Sequence, residues 1–458
     1  MASALSVRRY RGTLRAHEPE LPFASRPQAV HCAVATTETR SLRERPMNIG
    51  AWVVLAARNL LRNRRRSIVA GLAILLGVLA VTTLRGMLNG VQRSLKMEAI
   101  TGQVGALQVH KTGWMAQIFG APIDLDFPVD TAMLTRIEAV DNVRAAAPRI
   151  PFAGLVSSGD TTTFAMLTAL DPERETKVCP ARPERLTSGR LPSDKEPDGL
   201  VLSAELARRI GARLAKGDAG RVAILSNDRD GSLNALDTQL IGLNGLPRSP
   251  GLETRLGLLT LAKAQELLRM PGKATEIAIS VNDLGDIEGT RQRLQAALGS
   301  GFEVSIWSEL AKVVADAIAI QDKVLGVIMA VMLVVALLGV VNTLLMSVLE
   351  RTREIGLLLA LGLRRSQIVG LFVLESILLA VAASVPGLLG AGLTLIVLAR
   401  VDVTFQAPGG GMLHIQPELF MSDVAIVLGA VWLGAVLAAL LPARRASLLR
   451  PVQALAAV

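Results

Sequence analysis

The side chains that most often carry out chemistry are few in this sequence, and their spacing builds no site. The two cysteines, Cys32 and Cys179, are too far apart in the chain for a redox or metal-binding pair, and the four histidines show no metal-ligand spacing. His110 and His414 lie in different segments. We predict no catalytic residue, no metal site and no cofactor bound by this chain, with Cys179 an inert thiol. The alternative is a hydrolase site hidden in the fold.

A nucleotide-driven motor would need the loop G-x-x-x-x-G-K-[ST], whose backbone N–H groups and lysine hold the phosphates. The sequence of 458 residues contains no such loop. The stretch PGKATE at 271–276 lacks both the glycine spacing and the hydroxyl that should follow the lysine. We predict that the chain is not an enzyme and hydrolyses no ATP itself.

The composition places the chain between soluble proteins and fully membrane-embedded ones. It is 51% hydrophobic and 19% charged, with a mean hydropathy of +0.43. That balance is typical of membrane spans combined with a sizeable water-facing domain. The net charge of +10 would suit a nucleic-acid partner, but the positions of the basic residues favour a rim beside a membrane instead.

Four long runs with almost no charge predict transmembrane helices. At ~1.5 Å per residue even the shortest run, of 18 residues, covers ~27 Å, close to the ~30 Å hydrocarbon thickness of a bilayer. The third run carries Glu375 as its only charge. The four runs are residues 67–84, 324–349, 366–399 and 424–443.

Basic residues in the short flanks of these runs predict the orientation. Residues 47–66, 350–368 and 444–458 carry five, four and three arginines against two acidic residues in all, whereas the loop 401–422 has no lysine or arginine. The long segment 85–321 is nearly neutral, with 27 basic and 28 acidic residues. We predict that both termini are cytoplasmic and that the long segment lies outside.

The first residues of the chain carry no membrane signal. Residues 1–46 are polar and rich in proline and arginine, without the apolar core of a signal peptide. We interpret them as a disordered extension or a misassigned start. Residues 47–66 place apolar side chains opposite basic ones at helical spacing, which predicts an amphipathic helix on the cytoplasmic membrane surface.

Between the first two spans the pattern alternates between strand-like and helix-like pieces, which predicts a compact α+β domain. If the domain has two lobes, we expect the division near residues 180–199. The strand-like pieces are residues 104–110, 161–170, 221–226, 275–281 and 302–306. The helix-like pieces are residues 132–140, 202–214, 260–270 and 287–298.

The end of this domain runs into the second span without a helix breaker. Residues 308–349 contain no proline, and Ser308 with Glu309 provides a helix start signal. One helix of that length would be ~60 Å long, enough to cross a bilayer and project beyond it. The alternative is a break near residues 321–323.

The predicted fold class is therefore a membrane protein with four transmembrane α-helices and a large extracytoplasmic α+β domain inserted between helices 1 and 2. The predicted division is a disordered extension or misassigned start at 1–46, an amphipathic helix at 47–66, transmembrane helices at 67–90, 321–349, 369–399 and 423–443, the α+β domain at 91–320, a cytoplasmic coupling segment at 350–368, a short periplasmic loop at 400–422 and a cytoplasmic tail at 444–458.

A charged, helix-favouring insert, ERTREIGLLLALGLRRSQIVG at 350–370, separates the second and third spans. Helical spacing puts Ile355, Leu358 and Leu363 on one face, with arginines near the ends. Such a helix could dock in a groove on a cytoplasmic partner; the alternative is a basic loop that only fixes topology. The residues we assign to this coupling segment are Glu350, Arg351, Arg353, Glu354, Ile355, Gly356, Leu358, Leu359 and Gly362.

Two polar or helix-breaking features mark the third span. A carboxylate at the depth of Glu375 usually faces a helix bundle and pairs with another group, and we expect Arg364 or Arg365 as its partner. Pro386 and Gly387 predict a kink, and Gly387 with Ala391 forms a small-xxx-small packing pair.

The insert resembles that of the FtsX-like permease domain of ABC transporters of the MacB and lipoprotein-release class, in which ERxREIGLLxALGxxRxQI-type sequences occupy this position. The tail LLPARRASLLRPVQAL at 440–455 is similar to that family's ending. The stretches LAARNLLRNRRRS at 55–67 and ITGQVGALQVHKTGW at 100–114 resemble the LolC/LolE-like, lipoprotein-releasing branch. The resemblance covers residues 47–458.

The resemblance implies a mechanism and partners. A separate cytoplasmic ATPase dimer, holding ATP and Mg, binds the insert and moves the long first and second helices, so that substrate is handled on the far side without a pore (mechanotransmission). The implied location is the bacterial cytoplasmic (inner) membrane, with the large domain periplasmic. The implied partners are that ATPase, a second permease chain, membrane lipid and a periplasmic carrier or adaptor, with no nucleic acid.

Lipoprotein release toward the outer membrane is the function that the resemblance favours. One alternative is efflux of amphiphilic drugs or peptides. A second is an FtsX-like signalling subunit that moves no cargo and regulates a cell-wall hydrolase, although members of that kind usually have a smaller outer domain. A third is a membrane receptor or scaffold without an ATPase, against which the specific insert argues.

Overall fold

The computed structural model describes residues 49–214, 220–245, 256–401, 403–406 and 412–448. The predictions for residues 1–46 and for the last ten residues of the tail lie outside the described residues.

The described part of the chain begins with two helices in series. The first, α1, spans Ile49–Arg62, and the second, α2, spans Arg64–Ala99 and continues as a π-helical turn over Ile100–Val104. We call α2 together with this π-helical turn the α2 rod. Gly105 ends the rod with φ +83°, a left-handed conformation that glycine adopts at little cost. At ~1.5 Å per residue, α2 alone is ~54 Å long, so it extends well beyond the apolar stretch that begins it.

A sheet domain follows α2 in the chain, from Gly105 to Ile306. Its helices are short and several begin at side-chain caps, such as Asp130 and Ser203. The strands are β1 Leu107–Lys111, β2 Phe127–Pro128, β3 Val143–Ser158, β4 Thr161–Leu170, β5 Leu186–Gly189, β6 Gly199–Ser203, β7 Arg221–Asn227, β8 Leu233–Asn244, β9 Leu256–Thr260, β10 Lys273–Ala274, β11 Glu276–Val281 and β12 Phe302–Ile306. The α-helices are α3 Thr131–Glu138, α4 Pro172–Val178, α5 Ala204–Arg209, α6 Leu261–Leu267 and α7 Ile287–Leu298.

Ten of these strands form one mixed sheet in the order β12-β1-β11-β3-β4-β9-β6-β8-β5, with β7 pairing β3 and β8. Two hydrophobic cores lie along it. One core contains Val143 and Ala146 from the start of β3, and the other contains Phe152 and Val156 from its end. The two halves of the domain therefore meet along β3, and the expected division near residues 180–199 is wrong because the 16-residue strand β3 crosses both cores.

Five helices and a hairpin complete the described chain after the sheet domain. They are α8 Trp307–Leu310, α9 Lys312–Glu350, α10 Thr352–Ala360, α11 Arg365–Arg400, the hairpin of β13 Val403–Gln406 and β14 Met412–Ile415, and α12 Met421–Ser447. Within the described ranges, four helices are long and apolar enough to cross a membrane: Arg64–Val104, Lys312–Glu350, Arg365–Arg400 and Met421–Ser447.

The helix predicted over residues 308–349 differs from the observed one at its start. Ala311, with φ −98° and ψ 50°, separates α8 from α9, so the interruption lies there rather than near residues 321–323. Glu309 stabilises the short helix α8, because its carboxylate accepts a hydrogen bond from the N–H of Ile306 at 3.2 Å. The helix α9 then runs unbroken for 39 residues.

The long helices pack into a bundle whose tightest seam joins α11 to α2. The Cβ of an alanine at Gly387 would lie 2.8 Å from the carbonyl oxygen of Leu75 and 3.1 Å from the Cβ of Val78. Ala391, one turn further along α11, is fully buried. Pro386 lies inside α11, which continues through it. The small side chains on this face of α11 allow the two helix backbones to approach closely.

Candidate coupling site

A buried ion pair lies where α9 meets α10. Arg351, 6% exposed, places Nη1 3.1 Å from Oε1 of Glu375, 4% exposed, on α11. The expected pairing of Glu375 with Arg364 or Arg365 is wrong. Those two arginines are exposed at the start of α11, and ten residues of helix, ~15 Å, separate the second from Glu375.

Exposed ion pairs extend this site to the first two helices of the chain. Arg62 of α1 places Nη2 2.6 Å from Oε2 of Glu354, and Arg66 of α2 pairs with Glu350. Five helices therefore meet through charged side chains at one end of the bundle. We call this group the Arg351 cluster: Arg62, Arg66, Glu350, Arg351, Glu354 and Glu375.

The apolar face predicted for partner docking points into the chain's own bundle. Ile355 and Gly356 are buried, and Leu358, Leu359 and Leu363 are partly buried against the bundle core. The opposite face of α10 is exposed instead. It presents Arg353 and Leu357, with Leu357 52% exposed, and the turn that follows the helix adds Leu361, 72% exposed, and Gly362.

A second cluster of polar side chains binds α2 to its neighbours, about one bilayer thickness away from the Arg351 cluster. The helix rises ~29 Å from Arg66, in the first cluster, to Arg85, in the second, and the residues between them are uncharged. Arg85 places Nη1 2.8 Å from Asp322 on α9 and Nε 3.0 Å from Asp423 on α12. Nearby contacts follow: Asn89 donates to Asp423 at 2.6 Å, Gln92 donates to Asp322 at 3.1 Å, and Arg93 pairs with Glu418. We call this group the Arg85 cluster.

Beyond this cluster, the end of the α2 rod is built into the sheet domain by three arginines. The carbonyl oxygen of Gln103 accepts hydrogen bonds from Arg149 at 3.0 Å and from Arg182 at 2.7 Å. Arg185 donates to the carbonyl oxygen of Gly102 at 3.3 Å. These cations satisfy carbonyl groups that a helix C-terminus leaves free, and they complement its negative dipole end. We call Arg149, Arg182 and Arg185 the arginine clamp.

Carboxylates buried in the domain balance the clamp. Glu175 accepts both Nε of Arg149 at 2.9 Å and Nη2 at 2.7 Å, and Arg182 Nε lies 2.7 Å from it. Burial is the largest influence on the pKa of Glu175 and would raise it, but the two guanidinium groups together lower that pKa below its ordinary value. Burial raises the pKa of Glu276, since Arg149, 3.6 Å away, opposes it only in part.

Cys179 and His110 both lie in this buried region. The thiol of Cys179 is 3.1 Å from Nη2 of Arg149, so the predicted inert thiol has a cationic neighbour that the sequence did not reveal. His110 is fully buried and stacks on Trp114 with ring centroids 3.8 Å apart. Burial lowers the pKa of His110 to about 3, so the ring is neutral.

The clamp was not predicted from the sequence. One signal was available: Arg149 is the single charge in the apolar stretch 145–156 of β3, and a charge at such a position must be paired. A second was the spacing of Arg182 and Arg185, three apart in a short helical turn. Among the described residues, no three His, Cys, Asp or Glu side chains are grouped to hold a metal ion.

Family models match both halves of the chain. The model for the MacB-like periplasmic core domain matches residues 67–297, and the model for the FtsX-like permease C-terminal domain matches residues 326–451. The first covers α2 and most of the sheet domain, and the second covers most of α9 and the helices after it, including α10.

Curated relatives agree with both models. The chain is 25% identical over 417 residues to the macrolide export ATP-binding/permease protein MacB of Nitrobacter winogradskyi, covering 86% of this chain and 60% of that protein. It is 24% identical to the ABC transporter permease MJ1507 of Methanocaldococcus jannaschii, covering 89% of this chain and 98% of that protein. It is 22% identical to the lipoprotein-releasing system transmembrane protein LolC of Xylella fastidiosa, covering 84% and 92%.

Solved structures give a weaker likeness. The periplasmic region of MacB from Actinobacillus actinomycetemcomitans aligns with a TM-score of 0.32 and 11% identity, covering 46% of this chain and 92% of that one. The two family models supply the stronger finding, because one of them spans half of the sequence and the other most of the remainder. The chain belongs to the MacB/LolC-type family of ABC transporter permeases, which joins a MacB-like periplasmic core domain to an FtsX-like permease domain.

Proposed function

We propose that the chain is a permease subunit that couples ATP hydrolysis in a separate ATPase to work on a substrate outside the cytoplasmic membrane, by mechanotransmission. The observation that carries the proposal is the single rod of α2 and its π-turn. At one end Arg66 ties it to Glu350 of α9, beside the Arg62–Glu354 pair that ties α1 to α10, and at the other end the arginine clamp ties it to the sheet domain. A stiff helix held at both ends transmits displacement from one face of the membrane to the other.

The orientation in this proposal follows the basic flanks. The Arg351 cluster and the tail lie in the cytoplasm, and the sheet domain lies in the periplasm of a bacterial inner membrane. Cysteines introduced in a Cys32→Ser chain at the exposed positions 360 and 195 test it, since a membrane-impermeant maleimide applied to intact spheroplasts should label only the second. The native Cys179 is buried and does not interfere.

The ATPase partner docks on the exposed face of α10. Leu357 and Leu361 are large apolar side chains facing away from the bundle, and Arg353 lies beside them. Such a patch on a helix suits a hydrophobic groove in a partner. ATP and Mg belong to that partner in this proposal, and a second permease chain completes the functional unit.

Release of lipoproteins toward the outer membrane, through a periplasmic carrier, is the activity we propose first. The supporting observation is that the match to LolC extends over 92% of that relative, whereas the match to MacB covers 60%. A second candidate is export of small amphiphiles. It is supported by 31% identity over 234 residues to the pyoverdine export protein PvdT of Pseudomonas putida.

Co-purification tests the coupling role. A Leu357→Asp chain should lose the ATPase while inserting normally, because the changed side chain is exposed. A Leu448→Asp chain provides a matched control with the same change of side chain, since Leu448 is also exposed but lies after α12 and outside α10. Retention of the ATPase by Leu357→Asp at the parent level would contradict the docking face.

Depletion followed by membrane fractionation tests the substrate. Acylated proteins retained in the inner membrane would support lipoprotein release. Unchanged lipoproteins together with sensitivity to amphiphilic drugs would support export. Defective cell division with neither effect would instead support the signalling alternative.

A further inference from the structure

A cavity of about 260 Å³ lies beside the arginine clamp. Gln103 and Val104 of the π-turn and Leu310 of α8 form the side nearest the long helices, and strands β3, β4 and β9 form the opposite side. At ~30 Å³ per water molecule the volume equals roughly nine waters. It therefore accommodates a small headgroup with part of a chain, rather than a large molecule.

Most of the cavity wall is apolar. Ile118, Met166, Leu256 and Leu258 contribute aliphatic or thioether side chains to it. A wall of this kind favours a hydrocarbon segment over water, because apolar surface leaves water when the segment enters. The polar groups are contributed by the arginines of the clamp, Gln103, Gln108, Trp114, Thr168, Glu276 and Asn244.

Hydrogen-bond donors on this wall lack acceptors. Trp114 is 3% exposed, and its indole N–H has no partner among the described residues. Arg182, 8% exposed, pairs through Nε with Glu175 and donates from Nη2 to Gln103. A guanidinium group has five N–H donors, so in the described part of the chain several of those on Arg182 are left for another acceptor. Buried donors without partners call for an acceptor from a ligand or from water.

The wall itself carries more cationic than anionic side chains. Three guanidinium groups and one carboxylate, that of Glu276, line it. Glu175 and Glu98 pair with the clamp from outside the wall, so they balance its charge without facing the cavity. The raised pKa of Glu276 further reduces the negative charge that would oppose an incoming anion.

We propose that this cavity binds an amphiphile with an anionic headgroup, a carboxylate or phosphate. The headgroup accepts hydrogen bonds from Arg182 and Trp114, and the first part of an acyl chain lies along Met166 and Leu258. The inference rests on the proposed function, which it deepens by placing an acylated substrate class at the point where the sheet domain holds the α2 rod. A fatty acid and a lysophospholipid share this chemistry, and the competition experiment separates them.

The test uses the full chain in lipid nanodiscs and a twelve-carbon fatty acid with a diazirine on its chain. After photolysis, mass spectrometry should find the label on peptides containing residues 114–118, 166 or 256–258. Unlabelled dodecanoate and lysophosphatidic acid are then added as competitors. The one that lowers the labelling at the lower concentration has the headgroup that the cavity prefers. Dodecanol should compete about tenfold less well, since it lacks the charge.

Variants make the test specific. Met166→Trp should fill the chain end of the cavity and abolish its label, and Trp114→Phe should weaken the label several-fold by removing one N–H while keeping the ring. Arg190→Gln is the matched control, because Arg190 is exposed, pairs with Glu196 and is not part of this cavity. An unchanged thermal midpoint for Trp114→Phe shows that folding is intact.

Three outcomes would overturn the inference: label confined to the membrane helices, equal label in the parent and Met166→Trp, or equal competition by dodecanol. The readout needs no ATPase. Cavity labelling in a chain that binds no ATPase would therefore contradict the proposed coupling role and leave the ligand site standing.

Discussion

The two ends of the α2 rod are held by different kinds of contact. At the Arg351 cluster, the pairs made by α1 and α2 are exposed, with side chains 53% and 55% accessible in Arg62–Glu354 and 39% and 42% in Arg66–Glu350. At the arginine clamp the cationic side chains are at most 9% accessible, and they bind backbone carbonyl oxygens. Exposed pairs contribute little to stability, whereas buried ones are costly to break.

The difference indicates that one end of the helix is free to change its contacts and the other is firmly fixed. The end at the Arg351 cluster is held by weak, solvent-screened pairs that exchange partners at low free-energy cost, as the proposed movable contact with an ATPase would require. The end in the sheet domain is fixed in its core, where Ile100 packs with Leu107 and Ile279. Motion at the first end should therefore move the sheet domain as a body, without first loosening its attachment.

The largest expected effect comes from removing the centre of the clamp. Arg149→Met leaves Glu175 without its bidentate partner and should lower the free energy of unfolding by about 3–5 kcal/mol, because a buried charge loses its partner. Thermal unfolding of the full chain in nanodiscs measures it. Arg144→Gln, an exposed position on the same strand, is the control and should unfold like the parent. Equal midpoints for both variants would contradict the distinction between the two ends.

A somewhat smaller loss is expected from the one buried pair of the Arg351 cluster. Arg351→Met should destabilise the bundle by about 3 kcal/mol, since Glu375 stays buried and keeps only the hydrogen bond from Asn59. The double variant Arg351→Met with Glu375→Leu should recover most of that loss, because an apolar pair replaces a buried ion pair at little cost. A double variant no more stable than the single one would show that Glu375 has another essential partner.

The pH response should distinguish the sheet domain from the bundle. The unfolded chain protonates His110 near pH 6.5, whereas the folded chain holds its pKa at about 3. Stability is therefore present above pH 6.5 and is lost as pH falls toward 3, by at most ~1.4 kcal/mol per pH unit. His110→Phe should flatten the thermal midpoint between pH 6.5 and 5. The pKa of Glu175 adds a loss of the same sign only below about 4.5, so a slope unchanged by His110→Phe in that window would exclude His110 as its cause.

The smallest effect on stability is expected at the exposed pairs. Arg62→Ala should change the free energy of unfolding by less than about 1 kcal/mol, yet it should alter ATPase stimulation if the pair contributes to coupling. Arg58→Ala provides a control on the same helix, as a basic residue outside the cluster. An Arg62→Ala midpoint as low as that of Arg149→Met would contradict the classification of this end as loosely held.

Local pattern sufficed for much of the fold. The strands expected at 161–170 and 302–306 and the helix at 287–298 have the observed bounds, because alternating or helical spacing of apolar residues marks each of them. The long strand β3 was missed, since its small residues and prolines do not alternate. The break at Ala311 was missed as well, because no glycine or proline marks it and the packing of α8 on the sheet domain sets that bend.

Site residues were predicted less completely than elements. The sequence identified Glu375 as an intramembrane carboxylate that needs a partner. The expected arginines, at the start of α11, are too far along the helix to reach it, and its ion-pair partner is Arg351. The sequence also predicted a helix at α10, which the structure contains, but the face predicted for docking packs against the bundle. A short apolar helix beside a bundle buries its apolar face in that bundle, and docking of a partner on α10 stays a prediction.

The sequence by itself determined the number of spans, the sign of each flank and the helix between the second and third spans, because each depends on local composition. Only the tertiary structure brought Arg149, Arg182 and Arg185 onto one turn of the α2 rod, from positions that are 46 to 83 residues away from the carbonyl groups they bind. The physical reason is the sequence separation of the residues involved. Hydrophobic periodicity depends on neighbouring residues, whereas the partners of a buried charge are decided by the packing of the whole domain.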